Sequence, residues 1–199
     1  MDAELMTALH GEFTPKFLAT RDASGGPNVV PIISLDAADE RTLVFGELFI
    51  WKTRSNIEAD ARVGIVVVTE DLRVWTIRGG FREFVTSGPH VEAMNEKDLF
   101  RYNAYVRVSR VGIIDVEAVT ATKRLGKPGI AADLVRTRLI ARLGGSESTT
   151  AQTLPARVAD KFARSQAVKV IAWTGGDGHP DVAPVFSLTP TQKIGRAHV

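Results

Sequence analysis

The feature that most constrains the fold of this chain is a series of short β-like runs, separated by turns, between residues 16 and 119. The runs are rich in β-branched and aromatic residues, whereas Gly, Pro, Asn and Asp concentrate between them. Six runs predict strands, at Lys16–Arg21, Asn28–Leu35, Arg41–Gly46, Arg62–Glu70, Arg73–Ser87 and Ala104–Val119. Six strands with few helices among them predict a mainly β domain, a six-stranded antiparallel barrel with flanking helices.

Helices are predicted before this series and in two of its connections. The stretch Asp2–His10 places Leu and Met on one side, as an amphipathic helix does. A short helix is expected at Thr53–Asp60, and another at residues 88–103, where a proline occupies the first turn. The pair Gly79-Gly80 inside the fifth strand predicts a bulge or a tight bend.

Composition narrows the class of protein. Of 199 residues, 44% are hydrophobic and 24% charged, which is the balance of a soluble globular protein. The chain has no cysteine, which excludes a disulfide framework and cysteine metal ligands and fits a reducing, cytoplasmic location. Its Lys and Arg residues are scattered and its net charge is only +2, so we expect no nucleic-acid partner. We also expect no membrane span, no signal peptide and no metal site among the four histidines.

The chain repeats part of itself. Lys169–Leu188 aligns without a gap on Lys16–Leu35, and eight of the twenty positions are identical. Before this second copy, a helix is predicted at Ile130–Leu143, a small polar linker at Gly144–Thr153, and a further helix opened by Pro155. The repeat predicts a first domain at residues 1–120, a helical connector and linker at 121–153, and the start of a second, related domain at 154–192.

The last seven residues, Lys193–Val199, have an unusual sequence. "KIGRAHV" is what a DNA string containing the start of a widely used sequencing adapter encodes. We therefore expect this tail to derive from adapter sequence and the second domain to be truncated, rather than the tail to be an ordinary C-terminus.

A lysine and a threonine mark the point where the third strand gives way to the first internal helix. In "GELFIWKTRSNIEADARVGIVVV", Lys52 and Thr53 lie where a helix N-terminus would present unpaired N–H groups and a dipole that favours an anion. The ammonium and the hydroxyl would add a charge and a donor. From these residues alone, a solvated loop lysine and an ordinary N-cap threonine remain the alternatives.

Three blocks of the sequence, in order, resemble the FMN-binding split-barrel superfamily of pyridoxamine 5'-phosphate oxidase and its small flavin-binding relatives. The blocks are "FLATRDASGGPNVVPI", "LVFGELFIWKTRSNIEADARVGI" and "TIRGGFREFVTSGPHVEAM", within Phe13–Val119. The resemblance implies a six-stranded antiparallel split barrel that binds FMN in a groove between two subunits. A tandem of two such barrels would resemble a dimer folded from one chain.

The resemblance also implies a set of cofactor-binding positions. Lys52 and Thr53 would hold the FMN phosphate, and the strand Val30-Pro31-Ile32 would offer backbone groups to the isoalloxazine edge. Pro31 has no N–H, so it could contribute only its carbonyl. The segment before Lys52 supplies further candidates, of which Trp51 could stack on a ring or simply pack. These further candidates are Glu47, Leu48, Trp51 and, on the first helical turn, Asn56.

The function that the sequence favours is that of an FMN-dependent oxidoreductase or flavin reductase. The flavin would supply the redox chemistry, and no catalytic side chain can be named. A non-catalytic FMN-binding electron carrier is the first alternative. A split barrel that binds haem or a deazaflavin, or no cofactor, is the second. The expected partners are a small molecule or an electron-transfer protein, and a second barrel supplied by a homodimer or by an intramolecular pseudo-dimer.

Overall fold

A computed structural model gives the architecture of the chain. It describes residues 1–101, 107–122 and 168–186, together with residues 126, 128–130, 132, 135–136, 139, 164, 189–190 and 197–198. The linker predicted at 144–153 lies outside the described residues. So do most of the helix predicted at 130–143, most of the helix opened by Pro155, and the tail at 193–199 apart from residues 197–198.

Strands dominate the described residues. The helices are α1 Ala3–His10, α2 Trp51–Ala59, α3 Pro89–Glu96 and α4 Asp98–Arg101. The first seven strands are β1 Lys16–Arg21, β2 Pro27–Pro31, β3 Asp36–Ala37, β4 Thr42–Gly46, β5 Arg62–Val68, β6 Val74–Val85 and β7 Val111–Thr122. Four more follow, β8 Val170–Thr174, β9 Pro180–Pro184, β10 Thr189–Pro190 and β11 Ala197–His198.

The chain forms two compact units. The first comprises Met1–Lys123 with Ile171–Ala183, and the second comprises Arg124–Val170 with Pro184–Val199. In the second unit, β10 pairs with β11 in a two-stranded antiparallel sheet. No helix among the described residues is long and apolar enough to cross a bilayer.

The first seven strands form one antiparallel sheet, in the order β2-β1-β5-β6-β7-β4-β3. Its two edge strands are consecutive in the chain, because only residues 32–35 separate β2 from β3. Within that segment the Ser34 hydroxyl donates to the Gly46 carbonyl at 3.0 Å and accepts from the Gly46 N–H at 3.1 Å. Residues 32–35 therefore close the curved sheet on itself. The architecture is a mainly β split barrel with flanking helices, as the sequence predicts.

The barrel encloses an apolar core. Alternate residues of the strands point inward, and α1 covers one end with Leu5 and Leu9. The largest fully buried side chains of the strands are Leu18, Leu43, Phe45, Ile65, Ile77 and Ile114. At Gly79 the ladder between β6 and β7 shifts register, and a Cβ there would lie 2.5 Å from the Asp115 carbonyl oxygen. The bulge predicted at Gly79-Gly80 is thus confirmed.

Several predicted boundaries are wrong. The return strand ends at Pro31 rather than at Leu35, because the chain turns there, with Leu35 N–H bonded to the Ile32 carbonyl at 3.2 Å. It then forms the unpredicted strand β3, which raises the count from six to seven. The last strand of the barrel begins at Val111, since residues 107–110 are not strand.

The predicted helices also differ in detail. The stretch 88–103 forms two short helices, because Lys97 leaves the helical conformation at the end of α3. The first internal helix begins at Trp51, two residues before the predicted start at Thr53. Its N-cap is Ile50, which offers no side-chain acceptor, so the usual sequence signal of a helix start is missing.

The second copy of the repeat forms a hairpin of β8 and β9 with the same turn as the first. We call β1–β2 the first hairpin and β8–β9 the second hairpin. Gly25 and Gly178, at equivalent positions, both have positive φ, of 85° and 76°. The backbone bonds of the two turns are also equivalent. In the first hairpin, Asp22 N–H donates to Gly26 O and Gly25 N–H donates to Asp22 O, both at 2.9 Å. In the second, Gly175 N–H donates to His179 O at 2.8 Å and Gly178 N–H donates to Gly175 O at 2.9 Å.

Candidate functional site

An apolar groove lies beside the point where residues 32–35 close the barrel. Its volume is about 260 Å³. Pro31, Ile32, Ile33, Ser34, Gly46, Leu48, Ile50, Leu99 and Phe100 line it. The walls thus come from the end of β2, the end of β4, the segment before α2, and α4. Such a groove suits a flat apolar ring whose polar edge meets backbone groups.

The N-terminus of α2 opens at the rim of this groove. Ile50 is both a wall residue of the groove and the N-cap of α2. No side chain caps this helix, and its first intrahelical bond runs from Arg54 N–H to the Ile50 carbonyl at 2.8 Å. The amides of Trp51, Lys52 and Thr53 precede that bond, so the first turn can offer N–H groups to an anion.

The side chains of the first turn diverge. Lys52 is exposed, and Trp51 is 74% exposed with an edge-to-face contact to Phe49 at 6.1 Å between ring centroids. Trp51 is therefore not buried in the core, and both alternatives given for it, stacking on a ring and packing, stay open. Hydrogen bonds from Ser24 and Gly26 lower the pKa of the Asp22 carboxyl, and the charge of Lys52 lowers that pKa further. Lys52 therefore lies within electrostatic reach of the turn of the first hairpin.

Thr53 and Asn56 face the barrel instead of the groove. Both are buried, and they join a polar network with two residues of the first hairpin. Asn28 Nδ2 donates to Thr53 Oγ1 at 3.2 Å, and Asn56 Nδ2 donates to Thr20 Oγ1 at 3.0 Å. These bonds fix α2 against β1 and β2. Of the groups of Thr53, the backbone N–H is the one that the first helical turn presents to a ligand.

Glu47 belongs to a charged cluster next to the groove. Its carboxylate lies 3.3 Å from Arg54 Nη1 and 3.2 Å from Arg110 Nη1. Both guanidinium groups lie over the Phe84 ring, at 5.9 and 5.8 Å from its centroid. The Glu58 carboxylate, followed by that of Glu47, raises the pKa of Arg54. The carboxylate of Glu47 is thus held by two cations, and a contact of this residue with a cofactor stays a prediction.

The structure therefore brings together only part of the predicted set. Pro31, Ile32 and Leu48 line the groove. Val30 packs partly buried against the core, so it does not line the groove. Six wall residues are not in the predicted set, namely Ile33, Ser34, Gly46, Ile50, Leu99 and Phe100. The first four lie within two residues of predicted positions. Leu99 and Phe100 could not be predicted, because α4 is distant in sequence and its apolar residues resemble those of any surface helix.

Known proteins provide a comparison. No protein-family model matches the sequence, and neither does any curated protein. Among solved structures, HupZ of Group A Streptococcus has 27% sequence identity and a TM-score of 0.52, over 63% of this chain and 99% of its own. An FMN-binding protein from Syntrophomonas wolfei has 13% identity and a TM-score of 0.51, over 63% of this chain and 91% of its own.

A third solved structure is a pyridoxamine 5'-phosphate oxidase candidate from Lactobacillus delbrueckii. It has 20% identity and a TM-score of 0.50, over 61% of this chain and 93% of its own. At such low identity, this structure and the one from Syntrophomonas wolfei establish the fold alone. All three matches cover nearly the whole of those chains but less than two thirds of this one. The part of this chain beyond a single barrel thus has no counterpart in them.

Proposed function

We propose, on the premise that this chain carries a split barrel of the pyridoxamine 5'-phosphate oxidase-like superfamily, that it binds FMN and acts as an oxidoreductase or flavin reductase. The observation that carries the proposal is the position of Ile50. This residue joins an apolar groove to an uncapped helix N-terminus. A ligand with a planar apolar ring and a phosphate group matches that pair of features, and FMN is such a ligand.

The residues of the groove fit this cofactor in distinct ways. The amides of the first turn of α2, with the charge of Lys52, would hold the phosphate. Apolar walls such as Ile32 and Leu48 would exclude water from the ring, and Pro31 can offer its carbonyl but no N–H. Bound flavin would supply the hydride or electron chemistry, and the protein would bind and orient it.

A second candidate function is that of an FMN-binding electron carrier without substrate turnover. The walls of the groove favour it, because none of the described residues that line the groove has an ionisable side chain. An electron carrier needs no proton donor from the protein beside its flavin. Bleaching of bound flavin that depends on an added small-molecule substrate would favour the enzyme over the carrier.

Titration of FMN into the purified chain, followed by flavin absorbance after removal of the excess, tests the proposal. The parent chain is expected to retain flavin, and Lys52→Ala to bind it about tenfold more weakly, because a charge-assisted phosphate contact is lost. Arg41→Ala is the matched control, since it removes an exposed cation just before β4, at the end opposite to the groove. Its affinity for FMN should equal that of the parent.

Other results would redirect the proposal. Equal affinity of Lys52→Ala and the parent would show that Lys52 does not hold the phosphate. A Soret band in the purified chain would indicate haem, and a deazaflavin spectrum would indicate that related cofactor.

The partners that we propose are a small molecule or an electron-transfer protein, together with a second barrel. That barrel would come from a homodimer or from within one chain.

A further inference from the structure

The second hairpin lies on the outer face of β5 and β6, within the first compact unit. A Cβ added to Gly64 of β5 would lie 2.1 Å from the Pro180 carbonyl oxygen, where no side chain could fit. The backbone of β9 therefore rests directly on β5. The hairpin can approach this closely only because residue 64 has no side chain.

Two arginines of this face bind the second hairpin. Arg78 makes a bidentate contact with Asp181, at 2.9 Å for both bonds, and a further bond of 2.7 Å to the Asp177 carboxylate. Arg62 donates to the Asp177 carbonyl at 3.0 Å and is itself oriented by Asp60, at 2.9 Å. Planar guanidinium groups fixed in this way recognise carboxylates with defined geometry.

Apolar packing between the hairpin and this face is incomplete. A cavity of about 350 Å³ remains between them, with Thr76, Ala118 and Trp173 among the residues that line it. Trp173 is 43% exposed. Val182 of the hairpin is nevertheless buried, so the contacts of Arg78 with Asp177 and Asp181 add directional bonds to a partly closed apolar interface.

The two hairpins also contact each other reciprocally. Thr174 Oγ1 donates to the Gly25 carbonyl at 2.7 Å, and a Cβ on Gly178 would lie 3.0 Å from Arg21 Nη1. In the repeat, Thr174 is the equivalent of Arg21 and Gly178 is the equivalent of Gly25. The residue at the end of the first strand of each hairpin thus meets the turn glycine of the other. Such reciprocity is the mark of a twofold relation, here between two parts of one chain.

The two carboxylates that bind Arg78 are absent from the first hairpin. Ser24 stands at the position equivalent to Asp177, and Asn28 at the position equivalent to Asp181. Since the turns have the same backbone, the first hairpin of another copy has the shape to approach this face but lacks the carboxylates. The difference in charge therefore discriminates between two otherwise similar partners.

We propose that the face of β5 and β6 around Gly64, Arg62 and Arg78 is a docking surface for the second hairpin of the same chain. Asp177 and Asp181 select that hairpin over the first hairpin of a second copy. The chain thereby forms the twofold contact of a dimer internally.

Hydrogen exchange of the hairpin amides in the full chain, measured by mass spectrometry, tests this proposal. Protection of residues 171–183 is expected to be independent of protein concentration over a roughly hundredfold range, as docking within one chain requires. The double variant Asp177→Ser and Asp181→Asn, which gives the second hairpin the residues of the first, should lose at least about fivefold of this protection. Gly64→Ala should lose it as well, because its methyl group meets Pro180.

Two controls keep the result interpretable. Protection of the β1 and β5 amides reports whether each variant still folds. Asp71→Asn removes an acid that pairs with Arg73 at 3.1 Å, away from the hairpin, and should change nothing. Unchanged hairpin protection in the double variant or in Gly64→Ala would overturn the proposal. So would protection that falls on dilution, because the hairpin would then come from another copy.

Discussion

The first and second hairpins share a turn but differ in what surrounds them. β1 lies between β2 and β5 in the seven-stranded sheet, and its Leu18 is fully buried. Ile171, at the equivalent position of β8, is 40% exposed, and among the described strands β8 pairs only with β9. The first hairpin is therefore held by a shared core and ladder. The second is held outside that ladder, by the approach of Pro180 to Gly64, by the bonds of two arginines and by the bond from Thr174.

The comparison distinguishes the structural features that the repeated sequence itself specifies from those that depend on neighbouring strands. The glycine with positive φ and the bonds across the turn recur in both copies, because they depend on residues inside the hairpin. Burial recurs only in part, because it also depends on neighbouring strands. Lys16 and its equivalent Lys169 are both buried, whereas Leu18 is buried and Ile171 is 40% exposed. The turn geometry is thus common to both copies, and the burial of the apolar side chains in their first strands is not.

The largest effect is expected from truncation of the two equivalent apolar residues. Leu18→Ala should lower the free energy of unfolding by about 2–5 kcal/mol, because it leaves a cavity in the core. Ile171→Ala should cost less than about 1 kcal/mol, since its side chain is half exposed. Urea denaturation of both variants measures the contrast, and equal losses would show that the second hairpin has a core of its own.

The buried lysine at the start of the first hairpin should make the free energy of unfolding depend on pH. Lys16 is buried, and its Nζ donates to the carbonyls of Leu9 and Gly11 at 2.8 and 2.9 Å. Burial lowers the pKa of Lys16 from 10.5 to about 8, and the charge of Asp36 opposes that shift. Between these two pH values the unfolded chain binds more protons than the folded one, so stability rises with pH.

The corresponding measurement is urea denaturation of the parent and of Lys16→Met at a series of pH values. From pH 8 to pH 10.5, the free energy of unfolding of the parent should rise relative to the variant, by on the order of 2 kcal/mol. Other titrating groups cancel in this difference. A difference that stays constant across the range would show that Lys16 keeps an ordinary pKa.

An effect smaller than those of Leu18→Ala and of pH is expected at the two turn glycines. Gly25→Ala should destabilise the chain by about 1 kcal/mol, because alanine is strained at a φ of 85° although the space is open. Gly178→Ala adds a contact with the guanidinium groups of Arg21 and Arg62 to a similar strain. It should therefore also reduce hairpin protection in hydrogen exchange, and Gly25→Ala should not do so to the same extent.

Much of the barrel could be predicted because the signals are local. The bounds of β1 and the bulge at Gly79 follow from short patterns of residues. The start of α2 could not be predicted, because Ile50 carries no capping group and the helix is positioned by the buried bonds of Thr53 and Asn56. Contacts between distant parts of the chain therefore set the start of α2, and no short sequence pattern indicates such contacts.

The candidate site was only partly predictable for the same reason. Lys52 could be proposed from the sequence, since the N-terminus of a helix favours an anion, and its role stays a prediction. The pairing of Glu47 with Arg110 could not, because their approach depends on how β4 meets the chain before β7. The inward direction of Thr53 likewise follows from its contact with Asn28, which lies on another strand.

Covalent connection changes how the second hairpin competes for its place on β5 and β6. Residues 123–169 join β7 to β8, so the second hairpin and the face of β5 and β6 belong to one chain. Partners joined by a short flexible linker meet at effective concentrations on the order of millimolar, whatever the abundance of the protein, and a longer linker lowers that value. At roughly micromolar abundance, a competing copy would start at a disadvantage of up to about a thousandfold. Occupancy of this face should therefore be insensitive to how much of the protein a cell makes.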